Sequence, residues 1–431
     1  MDKNKIGLLA AVSIGIGGMV GGGIFAVLGL AVELSKGGTP IAFLFAGIIA
    51  LITSYSYAHL SLTYPNKGGT VKFMNVGFGK NVFSGGTNNL LWISYIIMLS
   101  LYASAFGAYG ASIIKITGNF TVDKHILLSA IIIFSTLLNY ISFKAVSIAE
   151  SFAVYIKIFI LVIFVIIGFY GLGSSHFISQ LNIEHWVGPF KMLSGGMVIF
   201  VAYEGFELIA NAAPNIKNPG KNVPRSYYYS VLFVILLYIL IAIITVGSVS
   251  FGKIATAQEY VLAVAAEPML GKIGFMIIGI TALISTFSAI NVSLYGGSRV
   301  NFELAEDDEI SHEFTTIFWN EPIGLLVTAV LTLVIANIFN LESISTSGSA
   351  GFLLIFGLVN FVNYKLAKET SSLKFLSLSG FLLCFIALVA LMVQQFRTRP
   401  EGAIIGLSII VFAYILEWIF KKLDKTTNQP A

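Results

Sequence analysis

The chain has 431 residues, 57% of them hydrophobic and 11% charged, with a net charge of +4 and a mean hydropathy of +0.89. Soluble domains carry about 25% charged residues, so a globule of this size cannot be coated with ionic surface and a water-soluble enzyme is excluded. The weak positive balance argues against nucleic acid as a partner, and a single cysteine, Cys384, excludes an internal disulfide or a cysteine-based metal cluster.

Twelve apolar runs follow one another at 7–34, 40–64, 83–114, 126–143, 146–172, 190–212, 227–250, 272–298, 322–340, 344–364, 374–395 and 402–420. A membrane helix needs roughly 20 apolar residues, so they predict an all-α polytopic membrane protein of about twelve transmembrane helices, one transmembrane domain over 1–431. The first run is too long and too glycine-rich for a cleaved leader and reads as a genuine span. With the N-terminus placed inside, about twice as many lysines and arginines fall inside as outside, which sets both termini in the cytoplasm and favours an even span count.

Span 1 holds Gly15, Gly17, Gly18, Gly21, Gly22 and Gly23, six glycines in nine residues. Each costs a helix about 1 kcal/mol relative to alanine, so the spacing predicts a break at mid-membrane depth, where irregular backbone survives only when buried or lining a cavity. Such a break exposes N–H groups that attract a carboxylate and C=O groups that attract an ammonium. The competing reading is close helix packing through small residues.

Span 5 carries Lys157 in the middle of Phe152-Ala153-Val154-Tyr155-Ile156-Lys157-Ile158-Phe159. It is too deep for comfortable snorkelling. Desolvation disfavours a buried ammonium, so it either exchanges a proton with a pathway or permanently fills the place of a metal cation.

Span 6 reads Phe200-Val201-Ala202-Tyr203-Glu204-Gly205-Phe206-Glu207, two carboxylates and a glycine within an apolar stretch. Intramembrane carboxylates mark a functional site or a structural brace. Glu204 adjoins the predicted break, whereas for Glu207 bracing of a neighbouring helix is an equal alternative. The loop that follows, with Pro219, Gly220 and Pro224, reads as a solvated cytoplasmic turn.

A short amphipathic piece at 256–267, with Gln258, Glu259 and Glu267, reads as an interfacial helix on the outside, and span 8 ends in a hydroxyl-rich run that includes Ser285 and Ser288. Trp92, Trp186, Trp319 and Trp418 fall near span ends and read as interfacial anchors. The acidic run Glu306-Asp307-Asp308-Glu309 reads as a solvated connection. No phosphate loop, nucleophile elbow or metal-ligand pair is present, and His59, His125, His176, His185 and His312 are scattered, so no enzyme chemistry, metal or cofactor is expected. Anomalies in spans 1 and 6 point to inverted repeats of five helices, about 7–172 and 190–364, with two additional C-terminal helices at 374–420 and a site between the crossing broken helices.

At these residues the chain resembles the amino acid–polyamine–organocation (APC) superfamily of secondary transporters. The resemblance rests on Gly18-Met19-Val20-Gly21-Gly22-Gly23-Ile24-Phe25, on Ala202-Tyr203-Glu204-Gly205-Phe206-Glu207, on the Lys217-Asn218-Pro219 and Asn222-Val223-Pro224-Arg225 loop, and on Ser298-Arg299. It implies a LeuT-like five-plus-five fold in the cell membrane, surrounded by lipid. The amides of Gly21, Gly22 and Gly23 would hold a substrate carboxylate. The carbonyls of Met19, Val201 and Glu204 would take its amino group, with Tyr203 counted in the same site. Lys157 resembles the helix 5 lysine of proton-coupled and sodium-independent members and would reach the carbonyl of Gly17, with Ser288 a further neighbour. The implied activity is amino acid or amine transport by alternating access, coupled to protons. The alternatives are an exchanger or exporter without proton coupling, and a channel or receptor that does not transport. Two departures bear on the substrate: Glu204 stands where the family carries a small or apolar residue, and Asn211-Ala212-Ala213-Pro214 replaces an acidic pair.

Overall fold

The computed structural model describes residues 5–141, 143–306, 309–310, 315–318 and 321–427, with backbone alone for 143–152, 318 and 423–427. Trp319, His312, Asp307 and Asp308 therefore lie outside the described residues.

Among the described residues nine helices are long and apolar enough to cross a membrane. They are α3 (Thr39–Thr63), α5 (Val82–Ile113), α6 (Phe120–Ile141), α7 (Phe143–Leu172), α10 (Pro219–Ser248), α12 (Val261–Glu306), α14 (Leu341–Lys365), α15 (Lys374–Thr398) and α16 (Pro400–Thr427). Two more spans are bent pairs. Helices α1 (Leu8–Met19) and α2 (Gly23–Ser35) meet at 45°, and α8 (Pro189–Val198) meets the segment Phe200–Asn215 at 48°. That segment is a 3-10 stretch, Phe200–Glu207, followed by the short α9 (Leu208–Ala212).

The predicted ninth span is α13 (Gly324–Ile338), whose 15 residues make about 22 Å of helix. This is shorter than the ~30 Å hydrocarbon core, so eleven spans rather than twelve are supported by length. Its start at 324 rather than 322 reflects a two-residue ribbon, β1 (Ile317–Phe318) with β2 (Glu321–Pro322). The other unpredicted elements are α4 (Thr70–Phe78), in the connection after α3, and α11 (Phe251–Thr256). The amphipathic piece runs straight into α12 and is separated from its long part only by Gly271, at φ +60°, a conformation that glycine adopts without strain. Its polar residues pair off, Glu259 with Lys124 at 2.6 Å and Glu267 with Lys253 at 2.7 Å.

Local signals explain several helix starts. The Asn81 side chain accepts from the amides of Phe83 and Ser84, while Ser84 Oγ accepts from the Asn81 amide, a capping box for α5. Asn340 caps α14 through the Ser343 amide at 2.8 Å.

Contacts between connections sort the helix ends onto two faces. Ile6 bridges Ile216, and Tyr64 bonds Glu369. On the other face Lys36 bridges Trp186, and Arg399 joins Glu33, at 3.1 Å, to Glu342. Helices α5 and α14 are almost wholly buried at the centre, whereas α6, α7, α15 and α16 form the perimeter and turn Phe134, Phe159, Phe385 and Phe412 outward. An apolar exterior of this kind matches a hydrocarbon solvent.

The tryptophans divide. Trp418 is exposed beneath the Lys422 ammonium, and Trp186 donates to the Leu181 carbonyl at 2.9 Å in a connection. Trp92 is not an anchor: it is buried inside the bundle and its indole donates to Thr328 Oγ1 at 3.0 Å. A buried indole needs such an acceptor, and α13 supplies it.

Cys384 is fully buried, 3.6 Å from Thr53 Oγ1 and beside Asn360. We expect a maleimide to label it only as the protein unfolds, giving a fluorogenic readout of thermal stability. Rapid stoichiometric labelling of the folded protein would contradict this burial.

Candidate functional site

The glycine run of span 1 does two different things. Gly18 lies against Gly205: a Cβ added at Gly18 would fall 2.7 Å from the Gly205 carbonyl, and one at Gly205 would fall 2.2 Å from the Gly18 carbonyl carbon. At this point the two bent spans cross backbone to backbone, which is the close-packing reading. From Val20 to Gly22 the helix is unwound, and α2 starts afresh at Gly23, which is the broken-helix reading. Its first amides have no intrahelical acceptor and carry the positive end of the helix dipole. The Tyr102 ring lies directly on Gly22, where a Cβ would meet Cδ1 at 2.1 Å, and Ala289 lies on Gly21 and Ala202 on Gly23.

The carbonyls at the end of α1 and through this break are held by side chains from three helices. Lys157 Nζ of α7 donates to Gly17 O at 3.1 Å. Tyr238 of α10 donates to Met19 O at 2.7 Å. Ser285 of α12 donates to Val20 O at 2.9 Å and also reaches Gly21 O.

The second break is built alike. Ser345 and Ser349 of α14 donate to Val198 O at 2.6 and 2.9 Å, and the Val201 amide donates to Ser349 Oγ at 3.0 Å. Tyr238 also lies 3.3 Å from Ala202 O, so one hydroxyl ties both breaks together. Tyr203 does not turn its hydroxyl to the break. It donates to Phe43 O of α3 at 3.0 Å, and its ring packs on Tyr238.

Three charged side chains are buried here: Lys157 at 0% exposure, Glu204 at 1% and Glu207 at 3%. Glu207 is fully engaged. Tyr95 of α5 donates to Oε1 at 2.6 Å, and Thr70 of α4 and Tyr57 of α3 donate to Oε2 at 3.0 and 3.4 Å. This is the brace that sequence allowed as an alternative. Removing it takes the acceptor from Tyr95 and from the Tyr57–Thr70 pair, whose hydroxyls are left only each other at 2.9 Å, so Glu207→Ala is expected to lose on the order of 3 kcal/mol. Cys384 labelling at a markedly lower temperature is the check; an unchanged midpoint would remove the bracing role. Glu204 is different. It accepts only from Tyr102 at 3.3 Å, through Oε1, and Oε2 has no hydrogen-bond partner among the described residues.

Of the residues expected at the site, Gly17, Met19, Gly21, Gly22, Gly23, Val201, Glu204 and Lys157 come together around the crossing. Tyr203 lies on the 3-10 segment itself, with its hydroxyl turned to Phe43 O and its ring on Tyr238. Ser288 is buried on the same helix as Ser285, whose hydroxyl meets the break and which shares a helix face with Ala289. Tyr102 and Tyr238 carry no sequence signal that separates them from the chain's other tyrosines. Among the described residues no three of His, Cys, Asp and Glu converge as metal ligands.

An all-helical bundle with two spans broken around a shared, charged centre is a polytopic membrane transporter by architecture. A family model described as amino acid permease matches residues 6–423. An uncharacterized protein of Methanocaldococcus jannaschii is 33% identical over 99% of this chain and 98% of its own length. The inner membrane transport protein YbaT of Escherichia coli is 30% identical over 98% of this chain and 97% of its own. The branched-chain amino acid permease BcaP of Bacillus subtilis is 22% identical over 86% and 82%. The chain belongs to the amino acid permease family of the APC superfamily, and it is a membrane transporter, not an enzyme.

Proposed function

We propose that this protein is a secondary active transporter that carries an amino acid or related amine across the cell membrane by alternating access, driven by protons through Lys157, with both termini cytoplasmic. The observation that carries the reading is the contact between Lys157 Nζ and Gly17 O inside the fully buried core. A protonated amine holds the end of α1. Losing the proton weakens that hold and lets the broken helix move, so the protonation state is linked to the side on which the site opens. The carboxylate of the substrate sits on the amides of Gly21, Gly22 and Gly23, at the positive end of α2. Tyr238, bonded to Met19 O and Ala202 O, lets the two breaks move as one unit. The two broken spans, one from each inverted repeat (about 7–172 and 190–364), rock together against α5 and α12, and 374–420 adds two perimeter helices.

Reconstitution tests this directly. In proteoliposomes, saturable accumulation of a radiolabelled amino acid against its own gradient, rising with an imposed inward proton gradient, is expected. Uptake that only equilibrates would indicate a channel, and uptake that needs internal amino acid but ignores the proton gradient would indicate an exchanger. Delayed Cys384 labelling across a panel of amino acids and amines selects the substrate for that assay.

A further inference from the structure

We propose that Glu204 is a specificity-determining residue of this site, whose carboxylate receives a primary ammonium group of the substrate. The inference deepens the transport reading and rests on it. Four carbonyls at the end of α1 and through its break, those of Gly17, Met19, Val20 and Gly21, already accept from Lys157, Tyr238 and Ser285. Val198 O at the second break is held by two serines. An incoming ammonium must therefore share these carbonyls with the donors in place or use an acceptor that holds none. Glu204 Oε2 is that acceptor: it belongs to a side chain 1% exposed, on the unwound segment next to the Gly18–Gly205 crossing, and it has no hydrogen-bond partner among the described residues.

Tyr102 fixes where the carboxylate lies relative to the amides of the break. Its ring rests on Gly22 and its hydroxyl donates to Glu204 Oε1. Glu204 is thus one tyrosine side chain away from the start of α2, a separation that suits a molecule with a carboxylate at one end and an ammonium close by. The energetics favour the same occupant. A buried carboxylate with one neutral donor is costly, and a charge-assisted bond from an ammonium offsets that cost where a neutral donor does so only partly. Glu207, three residues on, has three hydroxyl donors and needs no ligand.

The ammonium has two possible sources, the α-amino group common to all amino acids or an amine on the side chain, and the experiment separates them. Purified wild type, Glu204→Gln and Glu204→Asp are titrated with L-alanine, L-lysine, n-propylamine and propionate, with Cys384 labelling as readout. Loss of one charge-assisted bond costs about tenfold or more in affinity. We expect Glu204→Gln to lose that factor for ligands bearing ammonium, to leave propionate unchanged, and Glu204→Asp to recover part of the loss. Loss for alanine and lysine alike assigns the α-amino group, and loss for lysine or propylamine alone assigns a side-chain amine. Unchanged affinity for every ammonium ligand, or an equal loss for propionate, overturns the assignment. If Glu204→Gln does not fold, Tyr102→Phe decides, because it removes the competing hydroxyl from Oε1. A changed affinity for ammonium ligands but not for propionate supports the role, and no change overturns it. Should the wild type itself neither bind nor transport any amino acid or amine, the transport reading fails first and takes this assignment with it; wild-type transport with a silent Glu204→Gln sinks only the latter.

Discussion

Replacing Lys157 with alanine should abolish proton-driven uptake in proteoliposomes while leaving a monodisperse, folded protein. Lys157 Nζ is the donor that holds Gly17 O, at 3.1 Å in a site with no solvent exposure. A hydrogen bond from a charged group in such a place is worth about 1.5–3 kcal/mol, which is tenfold or more in the balance between two arrangements of α1. Alanine removes both the bond and a titratable amine in the middle of a predicted span, so uptake at saturating substrate should fall by at least about that factor and should no longer respond to an imposed proton gradient. Lys157→Arg separates charge from proton exchange. Guanidinium stays protonated at any working pH, so this variant is expected to bind substrate yet fail to accumulate it. Gradient dependence that survives in Lys157→Ala would move the coupling to another group.

The breaks were legible in the sequence because their signal is local. Six glycines in nine residues cannot make a stable span, and no partner is needed to see it. The charges were equally visible, since Lys157, Glu204 and Glu207 interrupt apolar runs. Their roles were not, because each depends on contacts distant in the chain. Glu207 is a brace only through Tyr57, Thr70 and Tyr95, which come from three different helices. Thr70 itself lies on a nine-residue helix that an apolar-run reading passes over as a loop. Ser285 escaped notice for a reason of phase: in a helix presenting several hydroxyls, which of them meet a neighbour is set by the helix rotation, which composition does not encode. Tyr102 and Tyr238 were hidden for a related reason. Tyrosine recurs along this chain, and only the structure shows the Tyr238 hydroxyl ending on a carbonyl at a break and that of Tyr102 on a buried carboxylate. The fifteen-residue α13 is shorter than the run that predicted it because apolar length sums across a connection as readily as along a helix.

Gly205→Ala is expected to abolish transport and to destabilise the fold. A Cβ at this position would fall 2.2 Å from the carbonyl carbon of Gly18 and 2.4 Å from the amide nitrogen of Met19. Both are backbone atoms, so no rotamer change relieves the overlap; the 3-10 segment and the end of α1 must separate. That separation acts on what the crossing organises. Tyr238 bonds Met19 O on one strand of the crossing and Ala202 O on the other, and it cannot keep both once they part. Overpacking a tight core costs about 1–3 kcal/mol even where side chains can adjust, and backbone against backbone belongs at or above the top of that range. The expected outcome is loss of transport together with Cys384 labelling at lower temperature. Gly220→Ala is the matched control, because a Cβ there meets nothing within 4 Å, and it should transport and melt as the wild type does. A Gly205→Ala protein with normal uptake would mean that the crossing of the two broken helices is looser than 2.2 Å allows, and that the halves move without keeping their backbones in contact.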